Sequence, residues 1–271
     1  MKFWRIKHPD YHSDYRNSYI NGELEHPFGL PGVNCDICGN TWGGSRMLSF
    51  TCPDTFRHHK NIIKRWPISR SQHEKLQREL MTALSIKGEP FLTFRPGDSF
   101  QPCFLNVPSR PVGDFLWPTL SSLVVSERIK NILMSNWPDD IIACPITPRK
   151  IGRRDAKLSP PRPSTGEPED IINEVPLEES PRLSPAYFEI LIQKRSACPA
   201  DMAPGKICSG CKLTNPDRSP MNIVLTPDMW NGNGIFYLWD TYHIFVTDDV
   251  RKVLMSVQAS NVVFEQVRTP Q

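Results

Sequence analysis

The stretch "FVTDDVRKVLMSVQASNVVFEQV", residues 245–267, carries the clearest structural signal in the chain. Thr247 is a suitable helix N-cap, and Asp248 and Asp249 follow it in the first turn, where the helix dipole favours negative charge. Apolar residues then recur at helical spacing along one face: Val250, Val253, Leu254 and Val257. The segment therefore predicts a helix and a following strand, which we expect to add an edge to a sheet.

Two more helices are predicted upstream. In "PISRSQHEKLQRELMTALS", Ser71 is the expected N-cap and Glu74, three residues on, completes a capping box. In "VSERIKNILMSN", Ser126 is the expected cap. Both segments repeat apolar residues at helical spacing.

Short strands are predicted between these helices. The candidates are "FWRIKHP", "AYFEILIQKRSA" and "DDIIACPITPRKI", the last expected to end at Pro145. The 27 prolines add many loops and edge strands. The sequence thus predicts an α+β fold with a mixed or antiparallel short-stranded sheet, about three helices and much irregular chain.

Composition limits the classes of protein that fit. A hydrophobic content of 39% allows a packed core, and no apolar run approaches the length of a membrane span. The net charge of +3 is low for a protein that binds nucleic acid through phosphates. The N-terminus has no signal-peptide pattern, so we expect a cytoplasmic protein. We expect a single domain over 1–271 with a flexible, proline-rich and charged insertion at 148–185.

Two Cys-x-x-Cys pairs stand far apart: "CDICG" begins at Cys35, and "CSGC" begins at Cys208, 170 positions after Cys38. Each pair can present two thiolates from one turn, and four together form the ligand set of a structural zinc site. Gly39 and Gly210 are the glycines expected to shape these turns. We expect one zinc ion held by the cysteines of both pairs: Cys35, Cys38, Cys208 and Cys211.

Other interpretations of the cysteines stay open. A usual zinc ribbon places its pairs about 15–20 residues apart, so a shared site here would join distant segments. Redox pairs or unliganded thiols are the alternatives, although a thioredoxin-like pair should lie between a strand and a helix. Lys212 follows the second pair where Gly39 follows the first, and Cys198 could substitute as a ligand. Apart from the two pairs, the sequence suggests no internal repeat.

The ordered motifs resemble a known family. "LPGVNCDICGNTW", "LTFRPGDSFQP", "KICSGCKL" and "FVTDDVRKVLMSVQASNVVFEQV" follow the order of the double-CXXCG motif proteins, over about residues 17–268. That family contains myxobacterial immunity proteins paired with swarm-type, contact-dependent toxins. The family's motifs fall on Cys35, Cys38 and Gly39 and on Cys208 and Cys211, with Lys212 replacing the second glycine.

The resemblance implies a cytoplasmic immunity protein that neutralises a cognate toxin by direct binding, without catalysis. In agreement, the sequence has no recognised catalytic motif and offers no residue set for a small-molecule substrate. Trp117, Trp137 and Trp230 are candidate partner-binding residues, because aromatic anchors often dominate interfaces; core packing is the alternative for each. A zinc-ribbon nucleic-acid-binding protein is the second hypothesis, on the basic stretches 57–66 and 148–154. An enzyme with an unrecognised site is the third.

Overall fold

The structure is a computed structural model that describes most of the chain. The described residues are 1–9, 23–43, 46–57, 67–88, 94–107, 113–118, 122–150, 186–197, 208–209, 225–238 and 243–268. They group into two compact units, each described by itself below. Unit one contains Met1–Glu25, Phe104–Met202 and Pro220–Gln271, and unit two contains His26–Cys103 and Ala203–Ser219.

The described residues form short strands and four α-helices. The strands are β1 Phe3–Lys7, β2 Glu23–Glu25, β3 Phe28–Gly29, β4 Val33–Asn34, β5 Thr41–Trp42, β6 Met47–Thr51, β7 Ser99–Gln101, β8 Cys103–Val107, β9 Phe115–Leu116, β10 Leu123–Ser126, β11 Ile141–Lys150, β12 Tyr187–Ile192, β13 Ile235–Tyr237, β14 Ile244–Thr247 and β15 Val263–Gln266. The helices are α1 Asp54–Arg57, α2 Arg70–Ala83, α3 Glu127–Asn136 and α4 Asp248–Ser256, and Pro227–Met229 forms a 3-10 turn. The predicted α+β class is confirmed.

Unit one contains two sheets that are built in the same way. One has the order β13-β14-β1-β15, and the other has the order β2-β8-β11-β12-β10-β9. Helix α4 connects β14 to β15, and both strands pair antiparallel with β1. Helix α3 connects β10 to β11, and both strands pair antiparallel with β12. Each helix therefore links two strands that flank a third, and β15 forms a sheet edge as predicted.

The two arrangements also share their register. Segments 123–136 and 244–257 align at an offset of 121 positions: "LVVSERIKNILMSN" against "IFVTDDVRKVLMSV". Ser126 pairs with Tyr187 as Thr247 pairs with Phe3. On the other side of each central strand, four residue pairs of β11 and β12 match four pairs of β15 and β1. The β11–β12 pairs are Ile142–Leu191, Ala143–Ile190, Cys144–Glu189 and Pro145–Phe188. In the same order, the β15–β1 pairs are Val263–Lys7, Phe264–Ile6, Glu265–Arg5 and Gln266–Trp4. The expectation of no internal repeat was wrong.

Each half of the repeat lends its first strand to the other half. In chain order, β1 precedes β9, β10, α3 and β11, whereas β12 precedes β13, β14, α4 and β15. Yet β1 is central in the sheet that contains β14, and β12 is central in the sheet that contains β10. Unit one is therefore a duplicated element with exchanged strands, and unit two interrupts its first half.

Reciprocal hydrogen bonds join the halves. Asp140, after α3, accepts from the backbone N–H groups of Gly234 and Ile235 at 2.7 and 3.0 Å. Its equivalent after α4, Asn261, donates to the carbonyl of Phe115 at 2.6 Å. The apolar core includes side chains from both halves: Ile6, Phe115, Trp117, Leu123, Val125, Ile129, Leu133, Ile141, Ile190, Ile192, Ile235, Ile244, Val246, Val250 and Leu254.

The helix starts follow the sequence with one exception. Ser126 caps α3, because its hydroxyl accepts from the N–H of Ile129, and Thr247 takes the N-cap position of α4. Helix α2 begins two residues earlier than predicted: Ser69 is the N-cap, and Gln72 completes the capping box. The predicted strand end at Pro145 was also wrong, because β11 continues to Lys150.

In unit two, helices α1 and α2 contribute to a small apolar core that is rich in phenylalanine. Strand β7 lies between β3 and β6, antiparallel to β3 and parallel to β6. Phe100 is fully buried, and its ring stacks on Phe50 with centroids 4.9 Å apart. The core of buried residues also includes Leu30, Val33, Cys52, Phe56, Ile68, Leu76, Leu80, Met81 and Phe94. Strands β4 and β5 form a separate hairpin that carries the first cysteine pair.

The predicted insertion falls mainly outside the described residues. Residues 148–150 belong to β11, and 151–185 are not described. The prediction of a flexible insertion at 148–185 stays a prediction, as does that of a single domain over 1–271.

Candidate metal centre

The first cysteine pair lies in the turn of the β4–β5 hairpin. Val33 pairs with Trp42 and Asn34 with Thr41, whose hydroxyl donates to the Asn34 side chain at 2.7 Å. Inside this pairing, the N–H of Cys35 donates to the carbonyl of Asn40 at 2.9 Å, and the carbonyl of Cys35 accepts from the N–H of Gly39 at 2.8 Å. The hairpin thus closes a five-residue turn that fixes both cysteines.

Gly39 has the conformation predicted for it. Its φ is +70°, in the left-handed region that residues other than glycine adopt only at a cost in free energy. Among the described residues, its two chain neighbours apart, no heavy atom lies within 4 Å of where a Cβ would stand. The requirement for glycine here is therefore one of backbone conformation and not of space.

Three cysteine sulfurs meet at this turn. The Sγ atoms of Cys35, Cys38 and Cys208 all lie within 4.8 Å of one another, and that of Cys35 is 3.7 Å from that of Cys208. A disulfide would need about 2.05 Å. Four sulfurs at about 2.3 Å from a zinc ion lie about 3.8 Å apart along each edge of the tetrahedron. The spacing therefore suits thiolates around a metal ion and not a disulfide.

The turn also favours the thiolate form of Cys35. The pKa of its thiol is lowered to about 6, chiefly by the backbone N–H of Cys38 and then by that of Ile37. Burial opposes this, while the side chains of Cys38 and Cys208 add to the lowering. Since metals bind thiolates, this backbone arrangement prepares a ligand.

The remaining cysteines fall into two groups. Cys52 and Cys144 are buried, and burial raises the pKa of each thiol to about 11, so they stay protonated and act as small core residues. Cys103 is buried as well. Cys211 and Gly210 of the second pair, with Lys212 and Cys198, lie outside the described residues. The structure thus brings together three of the four predicted ligands.

The three candidate tryptophans occupy different environments. Trp117 is 5% exposed and donates to the carbonyl of Asn261 at 2.8 Å, so its ring belongs to the core of unit one. Trp137 and Trp230 are half-buried and line one cleft of about 630 Å³ in unit one. The acidic residues of this cleft, Asp139, Asp140, Asp248 and Asp249, were not selected from the sequence as site residues.

The chain matches no family model, no curated protein and no solved structure at a significant level. Within the described part of the chain, no helix is long and apolar enough to cross a membrane.

Proposed function

We propose that Cys35, Cys38 and Cys208, with Cys211 as the fourth ligand, hold one structural zinc ion. The observation that supports this is the approach of three sulfurs to within 4.8 Å from positions far apart in sequence. Zinc is the redox-inert ion that a set of four thiolates suits best. The ion would tie residues 208–211 to the β4–β5 hairpin and so offset the entropic cost of closing a long loop.

Metal analysis of the purified chain tests the zinc proposal. Protein prepared without chelator is expected to contain about one zinc per chain by mass spectrometry of the elements. Cys35→Ser and Cys208→Ser are expected to lose that zinc, whereas Cys144→Ser, a buried cysteine outside the turn, is expected to retain it. Zinc-free wild-type protein, or serine variants that keep their zinc, would reject the proposal.

We further propose that the protein is a cytoplasmic immunity protein that neutralises a cognate toxin by binding it. Two observations support this: the ordered resemblance to the double-CXXCG proteins and the lack of a recognised catalytic motif in the sequence. Such binding needs a stable scaffold and a complementary surface but no reacting group. In this proposal the zinc centre serves the scaffold, and another surface contacts the toxin.

Co-expression with a candidate toxin taken from a neighbouring gene tests the immunity role. Growth rescue and a purified one-to-one complex are the expected results. If neither occurs and the chain instead shifts DNA or RNA with strong salt dependence, the zinc-ribbon nucleic-acid-binding hypothesis replaces this one. Turnover of a substrate by the purified chain would also contradict a role by binding alone.

A further inference from the structure

The two halves of unit one carry different residues around the start of their helices, α3 in the first half and α4 in the second. In the first half, the Arg128 guanidinium donates twice to the Asp114 carboxylate and through Nη1 to the carbonyl of Val257 at 2.8 Å. Val257 is the C-cap of α4, where the helix dipole favours a positive charge. The first half therefore carries its own cation between the start of α3 and the end of α4.

The corresponding place in the second half is an open cleft. The alignment puts Asp249 where Arg128 stands, and Asn136, at the end of α3, where Val257 stands. The register puts Gly234 where Asp114 stands, since the N–H of Thr247 donates to the carbonyl of Gly234 as that of Ser126 donates to Asp114. The three residues at these positions in the second half, Asp249, Asn136 and Gly234, all line the 630 Å³ cleft. Neither Arg128 nor Asp114 has a counterpart of its own kind here.

Aromatic rings form two walls of the cleft. The Trp137 indole covers Gly234 so closely that a Cβ on residue 234 would lie 2.4 Å from its Cδ1 atom. Trp230 is fixed by a hydrogen bond from its Nε1 to the carbonyl of Asn233 at 2.7 Å and by an edge contact with Phe3. Both rings are therefore positioned by contacts within the chain.

Carboxylates supply the charge. Asp139 is exposed, and the Asp249 side chain is 86% exposed, with its Oδ1 4.0 Å from the ammonium of Lys252. Asp248 is already engaged by Lys252, Arg251 and the Trp4 indole, and buried Asp140 is bound by backbone N–H groups. Lys2 is the basic residue among the described residues that line the cleft. Asp139 and Asp249 are thus the solvent-exposed carboxylates of the cleft.

We propose that this cleft binds an arginine side chain of a partner protein, in the place that Arg128 fills in the other half. A planar guanidinium can stack on an indole, pair with a carboxylate and donate to carbonyls at the end of a helix, which a lysine ammonium does less well. This inference goes beyond the proposed function, because it concerns ligand chemistry and depends neither on the zinc ion nor on the partner being a toxin.

Titration of the full chain with small probes tests the binding. N-acetylarginine amide is expected to shift the indole N–H signals of Trp137 and Trp230 in ¹⁵N NMR spectra. The lysine analogue is expected to bind on the order of tenfold more weakly, and the uncharged citrulline analogue not measurably. The absence of shifts with the arginine probe, or equal binding of arginine and citrulline, would overturn the proposal.

A charge-reversing variant tests the equivalence with Arg128. Asp249→Arg is expected to place a guanidinium in the cleft and abolish probe binding. Glu127→Arg makes the same charge change in the other half, outside the cleft, and is expected to bind as wild type. Asp139→Asn supplies a milder test, with affinity expected to fall severalfold, and thermal unfolding checks that each variant is folded. Unchanged binding by Asp249→Arg or by Asp139→Asn would reject the assignment.

Discussion

Gly39 shows how one residue can be required by the conformation of a turn alone. Its φ of +70° closes the cysteine turn, while no described residue beyond its chain neighbours comes within 4 Å of where its Cβ would stand. We expect Gly39→Ala to destabilise the protein by about 1 kcal/mol through backbone strain, and to weaken zinc binding as the turn opens. Gly39→Asn should lose less, since asparagine tolerates this region.

Chemical denaturation and competition with a zinc chelator measure both effects. The order wild type, Gly39→Asn, Gly39→Ala is the expected ranking in each assay. An alanine variant as stable as wild type would show that the turn does not need a left-handed residue.

His73 makes unit two sensitive to acid. Its side chain is fully buried in α2, and burial lowers its pKa from 6.5 to about 4, although Gln77 and Glu74 oppose the shift. Between pH 6.5 and pH 4, His73 is mostly protonated in the unfolded chain but mostly neutral in the folded chain. Stability is therefore expected to fall as the pH drops from about 6.5 to 4, by up to roughly 3 kcal/mol, and to change no further on this account below pH 4.

Comparison with His73→Leu isolates this effect. Every other group that titrates on acidification contributes equally to both proteins and cancels in the difference. The stability difference between wild type and variant should move in favour of the variant as the pH falls from 6.5 to 4. A difference independent of pH would show that His73 stays protonated or becomes exposed.

Local chemistry explains which residues could be assigned from sequence. The Cys35 turn was predictable because a Cys-x-x-Cys-Gly run contains its own geometry. Trp117 was not, because its burial depends on Asn261 and on core residues from distant segments. Asp248 and Asp249 were missed for a different reason, since acids in a first helical turn have a sufficient local explanation in the helix dipole.

At the scale of elements, helix α2 has two serines that could serve as its N-cap, Ser69 and Ser71, and the structure uses Ser69. Ser69 and Gln72 form the reciprocal capping box, with the N–H of Gln72 donating to Ser69 Oγ at 3.4 Å and the N–H of Ser69 donating to Gln72 Oε1 at 3.3 Å. The sequence offers Ser71 and Glu74 at the same spacing, and spacing alone cannot separate the two. Ile68, immediately before the Ser69 cap, is buried, and its N–H donates to the carbonyl of Gly32 at 2.9 Å.

Paired alanine substitutions test this assignment. Ser69→Ala is expected to cost about 1 kcal/mol of stability, because it leaves a helix-end N–H without its acceptor. Ser71→Ala lies inside the first turn and should change stability by only a few tenths of a kcal/mol. Thermal unfolding of the two variants measures the difference. A larger loss of stability in Ser71→Ala than in Ser69→Ala would place the N-cap at Ser71, as the sequence predicted.

Strand pairing needed more than the sequence pattern. Strands β1 and β12 read as ordinary strands, but nothing local indicates that each pairs with strands of the other half. The repeat was detectable in principle: the segments at 123 and 244 share the pattern of strand, Ser or Thr cap, acid and "LMS". It was missed because conservative replacements outnumber identities and because unit two and residues 151–185 separate the related parts.

At the scale of the whole molecule, the exchanged strands make the two halves of unit one depend on each other. Strand β1 pairs on both sides, with β14 and with β15, so removing it splits the sheet β13-β14-β1-β15 at its centre. Its side chains Phe3 and Ile6 are buried, 0% and 5% exposed, and both contribute to apolar cores. A chain that lacks residues 2–8 is therefore expected to lose cooperative unfolding of unit one while keeping β12 with its own partners.

Complementation makes this loss specific to the strand. A synthetic peptide of residues 1–9, added to the truncated chain, is expected to restore the near-ultraviolet circular dichroism and the unfolding transition of the intact protein. The same peptide with serine at Phe3 and Ile6 keeps the backbone donors and acceptors of the strand but buries no apolar side chains, and it should restore neither. Because backbone pairing of β1 is common to both peptides, recovery with only the first would show that core burial drives the exchange. A truncated chain that unfolds like the full-length protein would show that the second half holds its sheet without the borrowed strand.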